Sequence, residues 1–406
     1  MCSRWPGIVF NLIIVGVSAA LIALGAMDAH EKSTKSARQY EGNVASNRRI
    51  KDGLNNSDII EDEGRIGNPK KYPNMGCELP DYLSKDGQIY ARAMNWTEVA
   101  VGIKGVNWFG MENCVVESVA SDYAVASFLA RNKFNSVRLP VSIRSILEDT
   151  APEDLVNLDS NRAFNITTYM SALKTIIQSL AYRHVTVMIS LHTLDPKATG
   201  GAWYSDELDI SEDDYLHANV LGLDLKNEPH ECSWGGDNPD WLKGAELIGN
   251  RMLEGCPNWL AFVEGINCAH SITLNGAKNT YFDWWGGGLQ KAGEQPVELQ
   301  VADKVVYAPH YYNSAVSPAW YLYGGGTMRA DGSIVDYVEL DDDTLRLNVN
   351  ATMWAMFGYL TTRKTVLLGE FAGLYANDDH PKKTTKRTTD LTIQFAIENG
   401  FAGGYM

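Results

Sequence analysis

The amino-acid sequence predicts an α/β fold, specifically a (β/α)8 barrel (TIM barrel), on two observations. Short apolar runs typical of buried strands alternate with amphipathic runs typical of helices from about residue 102 to the end of the chain. Two of the strand-like runs end in a glutamate, Glu228 and Glu370. A carboxylate that closes an apolar strand is costly unless the strand opens on a polar site, and TIM barrels place such sites at the carboxyl ends of their strands.

The predicted strands and helices follow one another in a regular order. We place strands near residues 103–107, 136–140, 185–192, 220–227, 260–264, 304–310, 366–370 and 401–406. Helical patterns lie near residues 122–133, 168–183, 241–254, 344–360 and 386–398. Ahead of them, the pair Asp86-Gly87 lies between two strand-like runs and predicts a hairpin that closes the bottom of the barrel.

The amino-terminal region differs from the barrel in composition. Residues 7–27 form an uncharged, almost wholly apolar run that is long enough to cross a bilayer as a helix. We therefore expect residues 1–28 to be a signal anchor with a transmembrane helix, and a cleaved secretory signal is the alternative. Residues 29–75 are polar and nearly free of aromatic side chains, so we expect a disordered stalk. The barrel domain then occupies residues 76–406.

Four Asn-x-Ser/Thr triplets begin at Asn55, Asn95, Asn165 and Asn350 and would accept glycan in a secretory compartment. Together with the class of protein argued below, they place the barrel on the extracellular face of the membrane as a single-pass glycoprotein. If the apolar run is cleaved, the protein is secreted instead.

Composition limits the possible partners. The formal net charge is −15, which argues against a nucleic-acid partner because such a partner needs a basic surface. The six cysteines are not spaced like a zinc site, and Cys2 lies before the apolar run, so at most two disulfides form among the other five. Their pairing stays open. We expect a monomer that needs no metal and no cofactor.

Six short motifs occur in order along the predicted barrel. They are Gly105-Val106-Asn107-Trp108-Phe109-Gly110, Val137-Arg138-Leu139-Pro140, Leu191-His192, Asn227-Glu228-Pro229, His310-Tyr311-Tyr312 and Gly369-Glu370-Phe371. In sequence and order they resemble glycoside hydrolase family 5, the cellulase family, and in particular its bacterial endo-β-1,4-glucanases. One such motif is weak, but six in the same order are strong. The resemblance implies a (β/α)8 barrel that hydrolyses cellulose-type polysaccharide.

The resemblance also implies a retaining mechanism, a double displacement that uses two glutamates. Glu228 would be the acid/base and Glu370 the nucleophile. Arg138 would hold Glu370 ionised through an ion pair, and Tyr312 would donate a hydrogen bond to the same carboxylate. His310 would orient the sugar or a carboxylate.

Further residues would contact the sugar in the family's mechanism. Asn227 would bind the sugar 2-hydroxyl, and His192 would line the neighbouring subsite. The tryptophans Trp108, Trp203, Trp284 and Trp285 are either sugar-stacking platforms or core residues. The stretch Trp284-Trp285-Gly286-Gly287 lies in a glycine-rich loop after predicted strand five, which favours a place in the cleft for both of its tryptophans. Taken singly, each of these polar residues has an ordinary structural explanation, such as a helix start or a structural histidine.

Two features depart from the family pattern. The segment between His192 and Asn227 is short and leaves only residues 211–219 for the third helix, near the minimum for a parallel crossover. The sequence ends at Met406, inside predicted strand eight, and lacks the family's strand-eight tryptophan and last helix. We therefore expect a barrel that is incomplete at its carboxyl end, with an unpaired strand in an open wall. The alternative function is a catalytically inactive, membrane-tethered glycan-binding or structural remnant of such an enzyme.

Overall fold

The computed structural model describes residues 71–72, 80–113, 122–151, 167–198, 200–205, 221–282, 284–316, 318–329 and 334–406, with the single positions Gly25, Met27, Asn161 and Ala163. The predicted anchor, almost all of the predicted stalk and the predicted third helix near residues 211–219 lie outside these ranges. Within them, no helix is both long enough and apolar enough to cross a membrane.

The described strands are numbered in chain order. They are β1 (Asp81–Lys85), β2 (Gln88–Arg92), β3 (Glu98–Ala100), β4 (Ile103–Asn107), β5 (Ser136–Ser142), β6 (Thr186–Thr193), β7 (Gly222–Asp224), β8 (Leu260–Val263), β9 (Ala269–Leu274), β10 (Ala277–Phe282), β11 (Val305–Tyr307), β12 (His310–Tyr312), β13 (Tyr323–Gly324), β14 (Thr327–Met328), β15 (Ile334–Val335), β16 (Val338–Glu339), β17 (Glu370–Ala372) and β18 (Gly403–Tyr405).

The described helices lie between these strands. They are α1 (Asp122–Arg131), α2 (Ile143–Glu148), α3 (Tyr169–Ala181), α4 (Trp241–Gly255), α5 (Asp342–Met356) and α6 (Thr384–Glu398), with 3-10 turns at Met111–Asn113, Trp320–Leu322 and Gly358–Thr362. Side chains cap two of these helices: Thr168 and Ser171 form a capping box at α3, and Asp240 accepts the N–H of Leu242 at α4. The five predicted helices are all present.

A curled parallel sheet of seven strands forms most of the barrel wall, in the order β11-β8-β7-β6-β5-β4-β18. Each neighbouring pair in this sheet is parallel. Past the rim, β12 and β17 form a further parallel pair in which His310 lies opposite Glu370. This architecture agrees with the parallel α/β barrel predicted from the sequence.

Residues 365–368 join the two edges of that sheet. Val366 forms a parallel bridge to Tyr307 of β11, and Leu368 forms a parallel bridge to Gly404 of β18. The N–H of Tyr405 also donates to the carbonyl of Leu368. The expectation of an unpaired strand eight in an open wall is therefore wrong for the described chain. Although β18 has only three residues, it pairs with β4 on one side and with residue 368 on the other.

The bottom of the barrel is closed by an antiparallel sheet of β1, β2 and β3, which confirms the predicted hairpin and adds a strand to it. Asp86 and Gly87 form its turn, both with positive φ, as a tight two-residue hairpin requires. Ile89 of β2 is fully buried in a cluster with Leu260 and Val306, which belong to strands of the barrel wall. The hairpin therefore seals the barrel interior at the amino ends of the strands.

A second, larger apolar cluster lies between the wall and the helices. On α4, Trp241, Ala245 and Ile248 recur at helical spacing and are buried in it. Trp203 is only 3% exposed and packs against Trp241, with ring centroids 5.6 Å apart. Gly244 makes room for that contact, because a Cβ there would lie 2.5 Å from the Trp203 ring. Trp203 is therefore a core residue, and its interpretation as a sugar platform is wrong.

The contact between β4 and β18 yields a test of barrel closure. A Cβ at Gly105 would lie 2.2 Å from the ring of Tyr405, whose hydroxyl is 2.7 Å from Oγ of Ser136. We expect Gly105→Ala to lower the free energy of unfolding by about 2 kcal/mol or more, as overpacking does. Urea unfolding measures it. Gly102→Ala is the control, since its Cβ meets nothing within 4 Å; equal stability of the two variants would contradict the prediction.

Candidate active site

The carboxyl ends of the strands bring the predicted polar residues together. One strand after another contributes a side chain, because alternate residues of a barrel strand point inward. The residues brought together in this way are Arg138, His192, Asn227, Glu228, His310, Tyr312 and Glu370. This cluster is the candidate active site.

A single phenol bridges the two glutamates. The Oη of Tyr312 lies 2.8 Å from Oε1 of Glu228 and 2.7 Å from Oε2 of Glu370. One carboxylate oxygen of each glutamate and one ring nitrogen of His310 lie within 4.8 Å of one another. Retaining glycosidases hold their two carboxyls roughly 5 to 5.5 Å apart, whereas inverting ones leave more room. The carboxyls of Glu228 and Glu370 therefore form a close pair.

The backbone at Glu228 is in the left-handed region, with φ of 47°. A non-glycine residue adopts this conformation only where its surroundings hold it there. Its N–H donates to Oε2 of Glu264 at 2.7 Å, and its carbonyl lies 2.7 Å from Nδ1 of His230. Pro229 follows, and it has no backbone N–H to donate to a neighbouring strand. These contacts aim the Glu228 carboxyl at Tyr312.

Arg138 is fully buried at the centre of the cluster. Its Nε and Nη2 donate to Oδ2 of Asp224 at 2.9 and 2.6 Å, and its Nη1 forms an ion pair with Glu370. Further acceptors of its N–H groups are Asn107, Ser190, Asn227 and Glu264. Burial opposes the positive charge, but the surrounding carboxylates raise the pKa of Arg138 above its ordinary value. The guanidinium is thus a fixed charge at the base of the site.

Arg138 also decides the ionisation of Glu370. Burial alone would raise the pKa of this carboxyl, but the charges of Arg138 and His310 outweigh burial and lower the pKa below its ordinary value. The hydroxyl of Tyr312 acts in the same direction by donating to the carboxylate. Glu370 is therefore ionised at neutral pH, as an attacking carboxylate must be.

Glu228 and His310 shift each other's pKa in opposite directions. Burial would raise the pKa of Glu228, but the hydrogen bond and the charge of His310 lower the pKa. Burial would lower the pKa of His310, but the charges of Glu264 and Glu370 and the hydrogen bond to Glu228 raise it well above its ordinary value. Nδ1 of His310 lies 3.0 Å from Oε1 of Glu228. His310 and Glu228 therefore form a hydrogen-bonded ion pair.

His192 and Asn227 present polar groups beside the glutamates. Burial and the charge of Arg138 lower the pKa of His192 to about 3, so its ring is neutral. Among the described residues its Nδ1 has no hydrogen-bond partner. Oδ1 of Asn227 accepts from Arg138 at 2.8 Å, which leaves the amide N–H groups to face a ligand. Both arrangements suit sugar hydroxyls.

The tryptophans differ in exposure. Trp285 is 46% exposed, and its ring stacks on His230 with centroids 3.9 Å apart. Trp108 is half-buried and packs against the larger apolar cluster. Trp284 is also half-buried, and its Nε1 donates to the hydroxyl of Tyr321 at 2.8 Å. Trp285 is thus the one of these three that presents a substantial exposed surface.

Two buried carboxyls belong to the site although the sequence analysis did not select them. Asp224 pairs with Arg138, and Glu264 contacts Arg138, His310 and the backbone of Glu228. Glu264 directly follows the apolar strand β8, just as a glutamate ends each of the two strand-like runs that were selected. The same argument from an apolar strand closed by a carboxylate would have found it.

The site has the donor set of a possible cation site, since Glu228, His310 and Glu370 place donor atoms within 4.8 Å of one another. Here those atoms already hydrogen bond to one another, to Tyr312 and to Arg138. The guanidinium supplies the positive charge that a cation would bring. We therefore interpret the cluster as a pair of catalytic carboxyls with supporting groups.

Paired carboxyls at the carboxyl ends of a parallel barrel are characteristic of the glycoside hydrolases. The family model for cellulase (glycosyl hydrolase family 5) matches residues 99–404, and the chain belongs to this family. This confirms the resemblance stated from the six motifs.

Individual relatives point to the same group. An endoglucanase from Paenibacillus polymyxa is 27% identical over 289 residues, which is 66% of this chain and 66% of that protein. The major extracellular endoglucanase of Xanthomonas campestris pv. campestris is 29% identical over 366 residues, 87% of this chain and 64% of that protein. The chain therefore spans just under two thirds of the length of these curated relatives. A solved structure of a Pyrococcus horikoshii endocellulase with cellotetraose has a TM-score of 0.64 at 25% identity and covers 80% of this chain and 90% of that chain.

The contacts of Arg138 predict a pH-dependent effect of replacing it. The predicted role of Glu370 as nucleophile requires an ionised carboxylate, so activity should fall as the pH drops through its pKa, which Arg138 holds low. In Arg138→Lys the positive charge remains, but one ammonium group cannot donate to all the acceptors that the guanidinium contacts. We expect kcat/KM for a cellooligosaccharide to fall by about 100-fold and its acid limb to move to higher pH.

Arg92→Lys is the matched control for that measurement, because Arg92 also pairs with a carboxylate, Asp81, but in the hairpin sheet at the bottom of the barrel. We expect its pH profile to equal that of the wild type. An unchanged acid limb in Arg138→Lys would show that Arg138 does not set the ionisation of the nucleophile.

Proposed function

We propose that this protein is a retaining endo-β-1,4-glucanase that cleaves cellulose-type polysaccharide with Glu228 and Glu370. The observation that carries the proposal is the bridge of Tyr312 between the two carboxyls, which keeps them close together and so supports a retaining mechanism. Membership of the cellulase family and the names of the relatives support the substrate class.

In the first step Glu370 attacks the anomeric carbon while Glu228 protonates the departing glycosidic oxygen. The bond between that carbon and the oxygen breaks, and a glycosyl ester of Glu370 forms. In the second step Glu228, now ionised, takes a proton from water, and the water oxygen displaces Glu370. Two inversions give net retention at the anomeric carbon.

The remaining site residues have supporting roles in this proposal. Arg138 and Tyr312 keep Glu370 ionised before attack and stabilise it again as the leaving group. The free amide N–H groups of Asn227 bind the sugar 2-hydroxyl, and the unpartnered Nδ1 of His192 accepts from a hydroxyl in the neighbouring subsite. Trp108, which directly follows β4, lines the cleft in this proposal.

The relatives support the proposed substrate and location. The Pyrococcus horikoshii structure contains cellotetraose, which supports a chain of β-linked glucose as the ligand. The Xanthomonas campestris relative is named an extracellular enzyme, which supports export of this chain. The single-pass anchor over residues 1–28 stays a prediction, as does a monomeric state.

The two glutamates are tested by replacing each with glutamine. We expect Glu228→Gln and Glu370→Gln each to lower the hydrolysis of carboxymethyl cellulose by at least about 1,000-fold, because each step needs both groups. Release of reducing sugar measures the rate. Glu254→Gln, which changes an exposed carboxylate on α4, is the control and should match the wild type.

Added azide assigns the two roles. With 2,4-dinitrophenyl β-cellobioside, Glu228→Ala should give a β-cellobiosyl azide, because azide enters where water attacks the glycosyl ester. Glu370→Ala should give the α-azide, because azide replaces the lost nucleophile.

A folded wild-type protein that binds glucan without cleaving it would contradict the proposal and favour the inactive, glycan-binding remnant.

Trp285 is the candidate sugar platform, because its ring is exposed and His230 supports it by stacking. We expect Trp285→Ala to lower kcat/KM for cellotetraose about tenfold, which corresponds to roughly 1.4 kcal/mol. Trp354→Ala is the matched control, since Trp354 is 44% exposed on α5. Equal effects of the two changes would mean that Trp285 does not contact the sugar.

A further inference from the structure

Lys226 places a buried ammonium group two residues before the proposed acid/base, and the mechanism above gives it no role. The residue is only 1% exposed. Among the described residues, the hydrogen-bond partner of its Nζ is the carbonyl of Asn227, at 2.6 Å. A buried charge that is held by a carbonyl instead of a carboxylate destabilises a fold. The position of Lys226 therefore points to a role other than stability.

The carbonyl that Lys226 binds belongs to the peptide bond between Asn227 and Glu228. The N–H of the same peptide bond donates to Oε2 of Glu264 at 2.7 Å. Glu264 is also fully buried, and it directly follows β8, whereas Lys226 lies just beyond β7. Because β7 and β8 are parallel neighbours, two adjacent strand ends hold one peptide bond by its two polar groups. We call this arrangement the peptide clamp.

The two hydrogen bonds of the peptide clamp strengthen each other. A donor on the carbonyl oxygen makes the amide hydrogen more acidic, and an acceptor on that hydrogen makes the oxygen more basic. Burial lowers the pKa of Lys226 to about 8, while the charges of nearby carboxylates, Glu264 first, act in the opposite direction. At neutral pH Lys226 is therefore mostly charged, and charge makes its hydrogen bond stronger.

The plane of the clamped peptide sets the backbone angle φ of Glu228. This φ is 47°, a left-handed value that a glutamate keeps only where its surroundings hold it. If the peptide turned, φ would return to negative values, and the carboxyl would move away from Oη of Tyr312. Glu370 does not depend on the peptide clamp, because Arg138 and Tyr312 hold it from β5 and β12.

We propose that Lys226 is a positioning residue, which together with Glu264 clamps the peptide before Glu228 and so directs the acid/base carboxyl at the glycosidic oxygen. The inference rests on the proposed glycosidase function and deepens it. Glu228 gives a proton to the departing oxygen in the first step and takes one from water in the second. Lys226 neither gives nor takes a proton in either step.

Lys226→Met separates this role from a contribution to stability. Methionine has an unbranched side chain of similar length but no donor, so the Asn227 carbonyl loses its partner. The same change removes a buried charge that no carboxylate holds, which favours folding. We therefore expect the variant to fold, with the left-handed backbone of Glu228 no longer fixed.

The test compares two substrates that differ in their need for an acid. Phenyl β-cellobioside has a poor leaving group, whereas 2,4-dinitrophenol leaves without protonation. For Lys226→Met we expect kcat/KM to fall about 30-fold on the phenyl glycoside and to stay within about threefold on the dinitrophenyl glycoside.

Lys304→Met is the matched control for that comparison. Lys304 is also buried, and its Nζ donates to a backbone carbonyl, that of Tyr82 at 2.7 Å, but at the bottom of the barrel. Its ratio of kcat/KM between the two substrates should equal that of the wild type. For Lys226→Met, equal losses on both substrates would mean that Lys226 is only structural and would overturn the inference, as would no loss on either.

If Lys226→Met does not fold, the wild-type protein decides. The ¹⁵N spectrum of its lysine side chains should show ammonium hydrogens of Lys226 that exchange slowly with water, because the group is buried and hydrogen bonded. Exchange as fast as that of the exposed Lys278 would overturn the inference. If the wild type cleaves neither glycoside, the proposed function fails instead, and the exchange rate still reports the peptide clamp.

Discussion

The site depends on the burial of one arginine. Arg138 is inaccessible to water and donates to three carboxylates from three different strand ends. A buried charge of this kind is strongly destabilising if any partner is removed, because the remaining charges are left uncompensated. The guanidinium therefore couples the strands that carry Asp224, Glu264 and Glu370. It also keeps Glu370, the proposed nucleophile, ionised, so one interaction serves both the fold and the proposed chemistry.

The carboxyls of the site differ in pKa because each has different hydrogen-bond donors and charges around it. Glu370 has a guanidinium and a phenol and is ionised. Glu264 has a second carboxyl as neighbour, and its pKa is raised. Glu228 is hydrogen bonded to His310, and the hydrogen bond and charge of His310 lower the pKa of the Glu228 carboxyl. Carboxyls with the same intrinsic pKa thus acquire different protonation within a few ångströms, which is what acid, nucleophile and supporting groups require.

Much of this arrangement could be predicted from the sequence. The apolar runs located the barrel strands, and a carboxylate at the end of such a run marked Glu228 and Glu370, because an unpaired buried charge is costly. The same reasoning was not extended to Glu264, although it follows β8 in the same way. Contacts between strands could not be read from local pattern. The pairing of β18 on both sides depends on residues distant in sequence, and the core position of Trp203 depends on the missing side chain of Gly244.

The way the wall closes has a consequence for how the chain folds. The amide of Asn107 in β4 donates to the carbonyl of Tyr405 in β18, a separation of 298 residues. Contacts that distant carry a large loop-closure cost and form late. Until β18 docks, β4 and residues 366–368 each present an unsatisfied edge to solvent, the feature that makes nascent sheets prone to aggregate. Closure of the wall is therefore a late step of folding, because both of these edges stay open until β18 has docked.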